Sequence, residues 1–267
     1  MKRRSFSVTM IFLGIIAVFI LGALLAPVLT PYDVNRVDAA NRLSPPSPAH
    51  LLGTDEMGRD VLTRMLYGAR MSILIGFSAA LLSTALGTLF GILAGYFGGV
   101  VEQIIMSIAD ILLEFPSILF AMLLSVIFGG GVGSVFLAIS LSGWSSIARM
   151  VHAEAISVRR SGYVTAAEGL GAGPFGIMAR HVLPNCMPTV FTAFVLEIPS
   201  AILSESGLSF LNVGLSDSTI SWGTMVSAGR QFLYTRPLLC IAPGIAITVF
   251  VFACHYIGRE WTARYGK

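Results

Sequence analysis

Twenty-seven consecutive residues, Met71 to Phe97, carry no charged side chain. In hydrocarbon no water is present to satisfy peptide N–H and C=O groups, so such a stretch has to close its hydrogen bonds within itself, as a helix. About 20 residues are enough to cross a bilayer core. Five more runs are of similar character: Val8–Leu29, Gln103–Phe128, Val132–Ala148, Cys186–Ser204 and Pro237–Ile257. The expected fold class is therefore all-α, a polytopic membrane protein with six transmembrane helices. Lys2, Arg3 and Arg4 ahead of the first run imitate a secretory signal. The run is too long for one, and no small-x-small cleavage site follows, so a retained helix is expected. The rest of the chain agrees: 55% of residues are hydrophobic, 12% are charged, and mean hydropathy is +0.82. Soluble domains carry about twice that share of charge.

Six crossings place both termini on one side. With the N-terminus inside, the inner segments hold Lys2, Arg3, Arg4, Arg149, Arg159, Arg160, Arg180, Arg259, Arg264 and Lys267. The outer segments hold seven arginines, five of them in 30–70 among Asp33, Asp38, Asp55, Glu56 and Asp60. This bias follows the positive-inside tendency and puts both termini in the cytoplasm. The chain reads as one membrane domain over residues 1–267. Its parts are an N-terminal helix (8–29), an outer segment (30–70), a core (71–258) and a cytoplasmic loop (159–184). The outer segments 30–70 and 207–236 mix apolar and polar residues, as expected of chain folded against the mouth of a bundle.

What the sequence lacks narrows the function. Lysine occurs only at positions 2 and 267, neither in a glycine-rich turn, so there is no P-loop to hold nucleotide phosphates. H-E-x-x-H and G-x-S-x-G are absent, and His50, His152, His181 and His255 are scattered. Cys186, Cys240 and Cys254 form no C-x-x-C, so neither a disulfide framework nor a metal site is expected. The net charge of +3 gives no footprint for nucleic acid. No catalytic residue and no cofactor of this chain's own is expected. Transport remains, and its energy has to enter somewhere. Acids within the spans are the pathway candidates. Asp110 and Glu114 share a helix face at the expected start of the third span, where the helix dipole would also welcome them. Glu197 lies midway along the fifth, as a pathway group or a structural hydrogen-bonding one. At the outer end Glu205, in SESGLSF, is expected just past the fifth span, with the chain turning at Gly207. It would there either bond backbone N–H groups or an arginine such as Arg59 or Arg230 as part of an outer gate, or stand in solvent.

The loop between the fourth and fifth runs supplies an entry point for energy. Tyr163–Leu170 reads as a short helix with Val164, Ala167 and Leu170 on one face. Gly171-Ala172-Gly173-Pro174 breaks it, Phe175–Val182 forms a second, and Pro184 suits the first turn of the next span. Ala166, Ala167 and Gly171 are small, so another surface can approach the backbone closely. On these residues alone, a docking element and an ordinary amphipathic connector remain open.

AAEGLGAGPFGIMARHVLP resembles the EAA loop of ABC importer permeases, in which two alanines are followed by a glycine and then, at a fixed interval, by Leu-Pro. Ala166, Ala167, Gly171, Leu183 and Pro184 match. YVxAA and RHVLPN narrow the resemblance to the dipeptide/oligopeptide/nickel permease family, second-of-pair type. LGTDEMGRDVLTRMLYGAR, ADILLEFP, SESGLSFLNVG and SWGTMVSAGR are also similar to that family's segments, so the likeness covers most of Leu52–Arg236. It implies a coupling helix in which Val164, Ala166, Ala167, Glu168, Gly171, Leu183 and Pro184 dock onto an ATPase. It implies as partners a second, homologous permease subunit, two ATP-binding subunits that bind the ATP and Mg, an extracytoplasmic solute-binding protein, and the lipid of a bacterial inner membrane. The cargo it implies is small peptides or nickel chelates, selected by the binding protein. The alternative is a membrane scaffold or receptor subunit of the same fold that transports nothing. Thr165 replaces the motif's leading Glu, Glu168 stands where a basic residue is common, and Gly169 follows. These departures leave particular charge pairs with an ATPase open. Gly87, Gly91 and Gly95, every fourth residue, allow a close helix crossing, static or moving.

Overall fold

A computed structural model describes residues 2–216 and 218–265, without the side chains of residues 2–7, 264 and 265. Lys2, Arg3, Arg4, Arg264 and Lys267, which enter the charge asymmetry, lie outside the described side chains. The described chain is almost wholly helical. Its elements are α1 (Lys2–Leu24), α2 (Ala26–Leu29), α3 (Val61–Phe97), α4 (Gly99–Glu114), α5 (Ser117–Ile127), α6 (Val132–Arg159), α7 (Gly162–Gly169), α8 (Pro174–Ile177), α9 (Leu183–Phe210), α10 (Trp222–Gly229) and α11 (Leu238–Tyr265). Among the described residues α3, α6, Pro174–Phe210 and α11 are each long and apolar enough to cross a membrane. The α4–α5 pair supplies a fifth candidate span, and the apolar part of α1, Val8–Leu24, is a shorter helix.

Three boundaries differ from expectation for physical reasons. The second span begins at Val61, ten residues early, so the outer segment is shorter than 30–70. Asp60 caps it by accepting from Thr63 N at 2.7 Å, and its charged first turns are neutralised locally. Arg64 Nε lies 3.4 Å from Asp55, and Arg70 donates to the Ala23 and Leu24 carbonyls at the end of α1. The third span is not one helix. Proline removes an N–H and disfavours helical backbone in the residue before it. Phe115 accordingly takes extended backbone and the axis turns by 101° between α4 and α5. The fourth helix runs eleven residues past Ala148, because its charges find partners on α4. Arg149 pairs with Asp110, and His152 Nε2 lies 2.9 Å from Glu102 Oε1.

The centre of the bundle is α3, which packs against α6 and α9. Gly87, Gly91 and Gly95 make the first contact possible. A Cβ at Gly91 would lie 2.7 Å from the Ala148 carbonyl oxygen, and one at Gly95 2.7 Å from the Ala155 Cβ. The backbones of α3 and α6 meet where these side chains are missing. We call the end of the bundle that carries α7 and α8 the inner end, after the orientation expected from the charges, and the opposite end the outer end.

Candidate docking site

The inner-end loop is built on a buried base. Val164, Ile177 and Val182 are 0–1% exposed and join Val158 of α6, Tyr96 of α3 and Cys186 of α9 in one apolar cluster. At about 25 cal/mol per Å² of apolar surface, each such aliphatic side chain contributes roughly 1.5–3 kcal/mol to holding the loop down. Val164 is thus an anchor and not a docking contact, because burial leaves nothing of it for a partner to touch. Ala167 is half-buried on the same side, whereas Leu170, expected on that face, points away and is 89% exposed. The helix ends at Gly169, so Leu170 already leaves its face.

Gly171 then takes φ +84°, in the left-handed region where glycine is the usual occupant, and a Cβ there would meet nothing within 4 Å. Phe175, in the first turn of α8, is 75% exposed. Ala166, Leu170, Gly171 and Phe175 are thus all exposed on the inner-end loop, two of them small and two protruding and apolar, and Phe175 also edges an apolar groove whose walls include Leu89 and Leu93 of α3. Met178–Val182 makes a single π-helical stretch that runs without a break into α9. Leu183 packs half-buried on the same cluster, and Pro184 is exposed in the first turn of α9. Glu168 is tied inward: Tyr96 Oη donates to its Oε1 at 3.0 Å, and the Arg159 guanidinium lies 4.9 Å over the Tyr96 ring. The acid that departs from the family pattern thus fastens α7 to the ends of α3 and α6. The burial of Val164 was within reach of the sequence, as the one aliphatic side chain larger than alanine in α7. The prominence of Phe175 was not.

The acids within the spans do not gather at one place. Asp110 and Glu114 belong to the last turns of α4, not to a helix start, so the dipole argument reverses; Arg149 compensates Asp110, and Glu114 is exposed. Glu197 sits at the middle of α9 with its carboxyl group against the bare backbone of Gly143 on α6, beside Ser83 of α3.

Glu205 differs most from expectation. Helix α9 continues through Gly207 to Phe210, which places Glu205 inside it and completely buried. Neither Arg59 nor Arg230 reaches it. Arg59 is held by Asp55 at 2.7 Å and Glu56 at 3.3 Å, and Arg230 Nη1 donates to the Phe210 carbonyl at 3.0 Å. The donors to Glu205 are instead hydroxyls: Ser221 at 2.7 Å, Ser209 at 2.9 Å, Ser72 at 3.2 Å and Ser206 at 3.4 Å. Ser72 also accepts from the Trp222 N–H at 3.1 Å, and Ser221 caps α10 by accepting from Thr224 N. One carboxyl group thereby joins α3, α9 and the start of α10. These serines carry no sequence signal, since no spacing rule connects positions 72, 209 and 221.

Four apolar helices of spanning length, a bent pair as a fifth candidate, and folded segments at both ends of the bundle define a polytopic membrane protein. The comparisons narrow the class. Residues 87–259 match the family of the binding-protein-dependent transport system inner membrane component. Residues 7–46 match the N-terminal TM domain of oligopeptide transport permease C. The chain belongs to the binding-protein-dependent permease family. It is 36% identical over 258 residues to the oligopeptide transport system permease protein OppC of Bacillus subtilis, covering 97% of this chain and 85% of that one. It is 34% identical over 263 residues to the dipeptide permease DppC of Haemophilus influenzae, covering 96% and 88%. It is 35% identical over 244 residues to the nickel transport permease NikC of Escherichia coli, covering 91% and 88%. In fold it is similar to the inward-facing MetNI methionine ABC transporter, with a TM-score of 0.61 at 16% identity over 76% of this chain and 97% of that one.

Proposed function

We propose that this chain is the membrane-spanning, non-catalytic half-pathway of an ABC importer for small peptides or nickel chelates. It pairs with a second, homologous permease, receives cargo from an extracytoplasmic solute-binding protein, and is driven by two ATP-binding subunits that hold the ATP and Mg. It sits in the bacterial inner membrane with both termini in the cytoplasm. The observation that carries this reading is the Ala166–Leu170–Gly171–Phe175 surface and its mounting. Leu170 and Phe175 stand out as knobs, while Val164, Ile177 and Val182 of the same loop are packed against α3, α6 and α9. A grip on the knobs is passed to the spanning helices without an intervening flexible segment. ATP binding that brings the ATPase subunits together would tilt α6 and α9 as rigid bodies.

The test is Leu170→Glu, which places a charge on the exposed surface and leaves the buried base untouched. The variant is expected to reach the membrane in normal amount, to lose co-purification of the ATP-binding subunits, and to lose ATP-driven uptake. Unchanged capture of the ATPase together with unchanged uptake would remove the docking assignment. Full ATPase capture by a wild-type complex that moves no cargo would support a scaffold instead.

A further inference from the structure

Between the two outer segments lies a cavity of about 730 Å³, a size suited to a small ligand. Part of its lining is neutral and polar. Ser227 Oγ donates to Asn212 Oδ1 at 2.9 Å, which leaves the Asn212 Nδ2 group facing no partner among the described residues. The charges on the wall are unequal. Arg59 and Arg64 share Asp55, at 2.7 and 3.4 Å, and Arg59 also reaches Glu56 at 3.3 Å. Two cations and two acids cancel there. Among the described residues of the wall Arg230 is the surplus. No described carboxylate lies within ion-pair distance of it; its Nη1 is spent on the Phe210 carbonyl, and the guanidinium lies 5.2 Å over the Phe210 ring. That support fixes the plane of the group while leaving its remaining N–H donors for the cavity.

We propose that this cavity receives the carboxylate of the cargo on its way from the binding protein, with Arg230 as the counter-charge. This deepens the importer reading and rests on it. A planar guanidinium held at one nitrogen suits a carboxylate, which it can meet with two parallel hydrogen bonds. A peptide with a free C-terminus and an amino-acid chelate of nickel both offer that group.

The experiment measures uptake into cells carrying the complete transporter, with the wild-type chain, Arg230→Gln or Arg230→Lys. The probes are trialanine, trialanine amide and Ni²⁺ with excess L-histidine, and the amount of the chain in the membrane is fixed by immunoblot. Arg230→Gln is expected to lower Vmax for the carboxylate-bearing cargo about tenfold, as the loss of one charged hydrogen-bonding group would. KM, set at the binding protein, stays where it is, and uptake of the amide is unaffected. Arg230→Lys restores a good part of the rate. Which carboxylate probe responds identifies the source. Unchanged Vmax for both carboxylate probes in Arg230→Gln, equal loss on the amide, or no recovery with lysine would overturn the site and leave the importer reading intact. A wild-type transporter that takes up none of the three probes would overturn the cargo class and this site with it.

Discussion

Replacing Glu205 by alanine removes the one acceptor shared by four hydroxyls in a place no water reaches. The two shortest bonds, from Ser221 and Ser209, are charge-assisted and together amount to about 3–6 kcal/mol gross. Against this stands the cost of burying a carboxylate, several kcal/mol that the alanine variant no longer bears. Deleting the side chain also leaves a void, worth about 1–2 kcal/mol for the atoms removed. The net expectation is a loss of roughly 2–3 kcal/mol, concentrated where α10 meets α3 and α9. Glutamine keeps one carbonyl acceptor, and a serine hydroxyl can rotate to accept from its amide, so Glu205→Gln should lose only about 1 kcal/mol. The assay is the apparent thermal midpoint in detergent, followed by tryptophan fluorescence with Trp144 and Trp261 replaced by phenylalanine, so that it reports Trp222, whose N–H depends on Ser72 and whose Nε1 donates to the Met65 carbonyl at 3.1 Å. Cargo uptake in cells accompanies it. The expected order in both measurements is wild type, then glutamine close behind, then alanine well below. An alanine variant as stable and active as wild type would refute the idea that these hydroxyls need an acceptor. Equal damage from both substitutions would show that the negative charge itself is required.

Gly91→Ala should lower the apparent thermal midpoint markedly, because its Cβ would lie 2.7 Å from the Ala148 carbonyl; overpacking of this kind costs about 1–3 kcal/mol. Gly133→Ala, with nothing within 4 Å, is the control, and equal effects would refute a contact-limited crossing of α3 and α6. Gly143→Ala should also destabilise, since its Cβ would enter the Glu197 carboxyl group and lie 2.8 Å from Ser83 Oγ. Adding Glu197→Ala should recover much of that loss, and a double-mutant cycle with strictly additive effects would show the two residues to be uncoupled. With Cys186, Cys240 and Cys254 replaced by alanine, a cysteine at exposed Ser47 should react with an impermeant thiol reagent in intact cells, and one at exposed Thr165 should not. The opposite labelling would put the Ala166–Phe175 surface out of reach of any cytoplasmic ATPase.

Properties that depend on one element at a time were readable from the sequence. A run such as Met71–Phe97 must be helical in lipid whatever it packs against, and Gly171 ahead of Pro174 must break a helix. The boundaries failed where a charge looked like an end and was not. Arg64, Arg70, Arg149 and His152 all sit inside helices, because groups outside their own helices pair with them or accept from them: Asp55, the carbonyls ending α1, Asp110 and Glu102. Hydropathy counts a charge against a span and has no knowledge of the neighbour that cancels it. The site shows the same division. Small residues at 166, 167 and 171 announce a close approach, but whether Val164 faces a partner or the bundle depends on Tyr96, Val158 and Val182, which only the fold brings together.

That division bears on how force could cross the chain. The residues legible as a motif lie on the surface, and those that make the surface mechanically useful lie beneath it. Leu170 and Phe175 can be pushed only because Val164, Ile177 and Val182 cannot yield separately from α3, α6 and α9. At the other end of α9, Glu205 binds the same helix to α3 and to the start of α10. Helix α9 is thus clamped at both ends, by apolar burial inside and by a buried carboxylate outside, with Glu197 resting on a glycine between them. A displacement imposed at the inner loop would pass along α9 toward the outer segments, with Pro188 and Pro199 inside the helix as the points where it bends most readily. Movement confined to one end of α9 would instead have to break a packed aliphatic cluster or the site at which four hydroxyls meet Glu205.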